Sequence, residues 1–423
     1  AIVVAGVGGA GALYLSRTSP ELDAAARGRA AMASATQAVD EALDPQTNLV
    51  VNDPERAQKL LTDALAGLAA ADAGGINPTS VAALRIRAST ALNTLLRVNV
   101  ASATTLFDFA AAKAPVTLRS IALGPDGLPY VVDEQSGAVY RVDPRNGRAT
   151  VVYQPGFDLF GTRTGKALML AAIGPDLLVF DASSNLWRWR PADAAGRGTL
   201  VKLRVRDGAT WGTDIRAIVG FAADAGTGLY RLYVVDPSAR QILRYQPAAD
   251  GTGYPSSPTG FLTSSVSWLG SVDGIAIDGD LYLAQSGAIR RYVAGAQDSW
   301  APADPGDAVL RPAPRYTLLA SMGDARTGTL YAWDAAAHRM VELSKGPSGA
   351  VIAQFLLSDD RGPVDGLVGG YLSPANDGGA PTFVWATATG IYSTVLGVQV
   401  EPGPGASGNP TPVPIIEVPT PTP

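Results

Sequence analysis

The chain has 423 residues, 47 % of them hydrophobic, and a formal charge of only −5. That composition suits a chain that buries a core, and it argues against a nucleic-acid partner, which needs a concentrated basic face. There is no cysteine and a single histidine, His338, which removes disulfides, thiolate nucleophiles and Cys-ligated zinc and argues against a Ser-His-Asp triad or multi-histidine metal centre.

Ala1 to Leu15 carry no charge and are rich in Ala, Val and Gly. As a helix they would span about 22 Å, short of the ~30 Å hydrocarbon core. The chain also starts without Met. Residues 1–19 are therefore expected to be part of a transmembrane helix that begins further upstream, which makes the membrane the partner of residues 1–15. The run Gly6-Val7-Gly8-Gly9-Ala10-Gly11 suits close helix packing in lipid. It spells a dinucleotide-binding glycine motif, but no βαβ unit follows it. A signal peptide would need a basic start and a cleavage site.

Residues 20–103 read as an α-helical spacer module. One helix is expected over Pro20–Leu43. A second starts at the cap Asp53-Pro54, carries Leu61, Leu65 and Leu68 at helical spacing, and stops at Gly74-Gly75. A third starts at Asn77-Pro78. The last two form an αα-hairpin whose small residues allow close approach. It serves either as a spacer or as a surface for self-association through residues 20–98.

From 104 to 397 one phrase recurs: two apolar residues, an aspartate, a turn and an alternating strand. The copies are Val131-Val132-Asp133, Val179-Phe180-Asp181, Val234-Val235-Asp236, Leu283-Ala284-Gln285, Ala332-Trp333-Asp334 and Trp385-Ala386-Thr387. Their third positions lie 48, 55, 49, 49 and 53 residues apart. A repeat of that period made only of strands predicts a mainly β fold, a six-bladed β-propeller. The last blade lacks a strand of its own, so the strand-like segment 104–110 is expected to close the ring and remove exposed edges. The tail, 398–423, is rich in Pro and Thr and is expected to be disordered. A sugar-decorated stalk is its alternative.

Aligning the inner strands gives Arg119, Met169, Arg216, Asp273, Leu318 and Asp365 at one level of the channel mouth. The charges there have three readings. They pair with one another or with loop amides; they orient a polar ligand, as Arg does for carboxylates; or Asp273 and Asp365 hold a divalent metal such as Ca²⁺ or act as an acid–base pair. Trp211 and Trp268 precede inner strands on the same face and either line the rim or pack between blades. Asp133, Asp181, Asp236 and Asp334 recur at equal positions, as turn-stabilising carboxylates do. His338 lies in a turn, where a solvated histidine is the simpler reading.

The run Leu118-Arg119-Ser120-Ile121-Ala122-Leu123-Gly124-Pro125-Asp126-Gly127, continued by Tyr130-Val131-Val132-Asp133 and Val139-Tyr140-Arg141-Val142-Asp143, resembles the repeats of NHL/YncE-like propellers. The order of parts is similar to the extracytoplasmic regions of bacterial membrane-anchored serine/threonine kinases and phosphatases. The helical pair, the blade Val272–Asp278 and the Pro-Thr tail resemble proteins of filamentous green bacteria. The resemblance implies a single-pass membrane protein with most of its mass extracytoplasmic. The expected role is to bind a protein or a small polar ligand as sensor or scaffold, with no cofactor and no catalysis. A propeller hydrolase or lyase with a metal at the channel mouth, and a structural subunit of an envelope assembly, are the alternatives.

Overall fold

The computed structural model describes residues 7–112, 116–159, 161–193, 197–206, 211, 214–222, 225–357, 364–375, 377–397 and 415–417. They divide into two compact units: a helical unit of residues 1–98 with 304–313, and a second unit of 99–303 with 314–423.

The helical unit contains α1 (Val7–Ala42), α2 (Leu49–Asn52), α3 (Pro54–Ala73) and α4 (Pro78–Leu95). Asp53 caps α3 by accepting the Arg56 amide at 3.2 Å, and Asn77 caps α4 through the Thr79 amide at 2.9 Å. Each cap satisfies an amide that the first turn leaves open, and the proline that follows loses nothing there. Val39, Leu61, Leu65, Leu68, Val81, Leu84 and Leu92 form the core. Glycine is required where α1 meets the end of α3. A Cβ at Gly28 would lie 2.9 Å from the Gly74 Cα, and one at Gly74 would lie 2.6 Å from the Gly28 Cα. Asp304–Ala313, between two blades in sequence, belongs to this unit. Val309 and Leu310 pack on its core, and Arg311 bonds Asp307 at 2.8 Å and Asn93 at 3.0 Å. Ala1–Gly6, the start of the expected anchor, lie outside the described residues. No helix among the described residues is long and apolar enough to cross a membrane.

The second unit is a six-bladed β-propeller. The inner strands of blades 1 to 6 are Leu118–Leu123, Ala167–Ile173, Ala217–Phe221, Val272–Ile277, Tyr316–Met322 and Gly369–Ser373. Within each blade the strands pair antiparallel from the inside outward. Thr104–Asp108 pairs antiparallel with Gly390–Val395 and supplies the outer strand of blade 6. The two ends of the ring are thereby joined, with Phe107 and Phe109 buried between blades 6 and 1. Trp187, Trp333 and Trp385 are fully buried.

Among the described residues, two blades carry a fifth strand. Val98–Ala101, inside the stretch read as helical spacer, adds to the outer edge of blade 5, and Ile415–Glu417 adds to that of blade 1. The second corrects the reading of the tail as disordered along its whole length. The outermost strand of a blade presents unpaired backbone groups, and an extended Pro-flanked segment can satisfy them. The rest of the tail, 398–414 and 418–423, lies outside the described residues.

Candidate functional site

The channel at the centre of the ring opens into a cavity of about 610 Å³ lined by all six inner strands. Strand pairing identifies the equivalent residues. Leu118 faces Asp133 and Ser120 faces Val132, so Arg119 is an extra residue, a β-bulge. The same shift isolates Leu168 in blade 2, Asp273 in blade 4 and Thr317 in blade 5. In blades 3 and 6 the amides of Arg216 and Val368 bond the carbonyls of Val235 and Ala386, which places these residues at the same level. The mouth therefore carries Arg119, Leu168, Arg216, Asp273, Thr317 and Val368, all lining the cavity. A bulge re-aims the side chain it adds.

This corrects the aligned ring at three positions. Met169 and Leu318 line the cavity one residue further along their strands. Asp365 is not among the lining residues. It lies in an Asp-Gly turn whose glycine, Gly366, has φ +73, and it faces His338, with Nε2 3.4 Å from its Oδ1. His338 in turn stacks on Trp333. Asp273 and Asp365 are thus not brought together on the channel. Counting a fixed distance from the inner Ile or Leu missed the bulges; counting back through the pairing with the second-strand aspartate finds them.

Arg119, Arg216 and Asp273 are exposed, and none forms a side-chain hydrogen bond or ion pair among the described residues. The mutual-pairing reading therefore fails for them. Beside Arg119, the Ser120 hydroxyl is buried without a hydrogen-bond partner. A Cβ on Gly274 would lie 2.7 Å from the Thr317 carbonyl oxygen, so glycine lets the inner strands of blades 4 and 5 approach closely next to Asp273.

The tryptophans divide. Trp211 is buried between blades 2 and 3, packed on Phe180 and Tyr245, with its indole N–H donating to the Tyr245 hydroxyl. Its rim reading is overturned, because an indole with a buried acceptor packs better there than in solvent. Trp268 is half-buried, stacks on Tyr292, lies 5.9 Å below the Arg290 guanidinium and does not line the cavity.

The four recurrent aspartates are buried and occupied. Asp133 accepts the amides of Thr117, Gln135 and Ser136; Asp334 accepts those of Arg315 and Ala336. Asp181 accepts the amides of Gly165, Ser183 and Asn185, the Trp187 indole at 2.7 Å and the Tyr153 hydroxyl at 3.1 Å. Asp236 accepts the amides of Ser238 and Ala239. In blades 1, 2 and 5 the carboxylate ties its own turn to the chain that enters the inner strand. In blade 4, Gln285 does so through the Ser271 hydroxyl.

A second cavity of about 370 Å³ lies between blades 2 and 3. Its buried carboxylate is already engaged, since Asp176 takes Arg190 at 2.7 Å and the Tyr230 hydroxyl at 3.0 Å. Burial pushes the Tyr230 hydroxyl far above its ordinary range, and the neighbouring Tyr254 and Asp176 add to the shift.

No family model and no curated protein matches the chain. Among solved structures it is similar to a streptogramin B lyase, at 12 % identity over 70 % of this chain and 97 % of that one, with a TM-score of 0.42. It is similar to the WD40 repeats of RRP9, at 11 % identity over 70 % and 97 %, with a TM-score of 0.44. It is also similar to the PQQ-bound aldose sugar dehydrogenase of Streptomyces coelicolor, at 16 % identity over 70 % and 98 %, with a TM-score of 0.40. Likeness of that degree carries no functional argument, and the propeller stands on its own strand pairing.

Proposed function

We propose that this protein is a non-catalytic binding propeller, a sensor or scaffold, whose channel mouth takes a polar ligand or an acidic protein side chain. The observation that carries this reading is the trio Arg119, Arg216 and Asp273, held on or beside inner strands at a cavity of about 610 Å³, without partners among the described residues. Leu168 and Val368 at the same level supply apolar contact. An anionic group would meet the two guanidinium groups, and a donor would meet Asp273.

The finer parts of the reading rest on sequence. The NHL/YncE-like character rests on the blade-1 spelling, and the extracytoplasmic setting on the resemblance to membrane-anchored signalling proteins. Attachment through residues 1–15 rests on their uncharged composition. Carbonate extraction of the native protein tests the attachment: release into the supernatant would count against it. The metal-dependent alternative called for Asp273 and Asp365 on one ion, and Asp365 lies with His338 instead.

The binding reading is tested by thermal-shift titration with a panel of mono- and dicarboxylates, followed by calorimetry on any hit. The expected result is a hit that stabilises the native chain and is lost in the Arg119→Ala/Arg216→Ala variant. A hit that stabilises both equally, or a panel without hits, counts against a carboxylate at the mouth.

A further inference from the structure

Blade 1 is complete without the tail. Its strands Leu118–Leu123, Pro129–Asp133, Val139–Asp143 and Arg148–Tyr153 pair in sequence order. The fifth strand, Ile415–Glu417, is therefore an addition to the four-strand blade. It joins the outer strand in parallel, with Ile415 opposite Arg148, Ile416 opposite Ala149 and Glu417 opposite Thr150, whereas the strands within the blade are antiparallel. The Ile415 amide donates to the Gly147 carbonyl at 2.7 Å.

The alternation of side chains matches the blade. Ile416 shares the face of the fully buried Ala149 and packs on the cluster of Phe109, Tyr140, Val142 and Val151. Ile415, on the other face, is 49 % exposed. A one-residue slip would exchange these two positions, so the inward apolar side chain sets the register. Pro414 and Pro419 lack the amides that would extend the ladder. A three-residue strand with one inward side chain is held weakly by itself. Tethering raises its effective concentration enough to keep it in place.

We infer that the outer edge of blade 1 is a docking site for an extended, proline-flanked peptide with an apolar residue facing inward. The chain's own tail is the resident competitor. Recognition is by strand addition: backbone bonds supply adhesion, and the pocket for the inward side chain supplies selectivity. This site is separate from the channel and does not rest on the proposed ligand there.

The test uses the full-length chain and its Ile416→Asp variant. The substitution places a charge against an apolar cluster and leaves the four blade strands unchanged. The probe is a capped synthetic peptide with the sequence from Pro412 to Pro421. The expected result is at least tenfold tighter binding of the peptide to the variant than to the native chain, whose edge is occupied. Amide hydrogen exchange at Ala149, whose N–H faces the tail strand, should be faster in the variant and slow again once peptide is added. Equal binding to both proteins, or exchange at Ala149 unchanged by the substitution, overturns the proposal. The same peptide carrying Asp in place of its central Ile should bind neither protein; binding by that control also overturns it.

Discussion

The two ends of the inner strands treat charge in opposite ways. At the turns that follow the inner strands of blades 1, 2, 4 and 5, charged groups are engaged with one another or with turn carbonyls. Asp126 takes Arg141 at 2.6 Å, and Asp176 takes Arg190. Lys345 is fully buried and reaches Asp278 at 2.7 Å and the carbonyls of Met322 and Asp324 at 2.9 and 3.1 Å. At the opposite end, where the inner strands begin, Arg119, Arg216 and Asp273 are exposed and without such partners among the described residues. One end uses charge to lock neighbouring segments together; the other leaves it available. A buried charge is tolerated only with partners, whereas an exposed charge at a cavity is already solvated and loses little by waiting for a ligand.

The comparison can be broken most directly at Lys345. Lys345→Met leaves Asp278 facing an apolar side chain and should cost about 3–5 kcal/mol in a urea titration. A loss below 1 kcal/mol would mean that the locked end is not locked. Phe107→Ala at the ring closure should cost a similar about 3–5 kcal/mol through the cavity it leaves. Asp181→Ala would strand several amides and the Trp187 indole, at about 1–3 kcal/mol for each group left without water.

A smaller effect sharpens the locked end. Asp280 is buried with one oxygen unpartnered, and burial raises its carboxyl above the usual range. Its folded-state value exceeds the unfolded one, so its contribution to stability is greatest below the unfolded value and is lost as pH rises through the folded one. Asp280→Asn should therefore melt higher than the native chain at neutral pH. The difference should close below about pH 4, where both states hold the proton. A constant difference across pH would point to packing instead.

The smallest effects belong to the open end. Arg119→Ala and Arg216→Ala should each change stability by no more than about 0.5 kcal/mol, as exposed substitutions do. A loss above 1 kcal/mol would reveal a structural role and erase the contrast.

Much of the scaffold was legible because its signals are local. The alternation of Val131, Val132 and their counterparts, and the aspartate that closes each turn, depend on residues within one hairpin. The channel mouth was less legible. Arg119, Arg216 and Asp273 are readable as charges beside an inner strand, but Leu168, Thr317 and Val368 complete their level only through pairing with a distant second strand. For Trp211 the rim and between-blade positions stayed open, because sequence position does not reveal the Tyr245 hydroxyl in the third strand of the same blade.

The sequence by itself determined the number of blades, the turn carboxylates and the helical caps, since the first is written in a repeat spacing and the others in patterns within a few residues. Tertiary structure alone decided which side chain each bulge turns to the channel, where Asp365 points, that 304–313 joins the helical unit, and that Ile416 seats on blade 1. Those outcomes depend on strand register and on which edge is left open, and both are set by contacts between segments far apart in the chain.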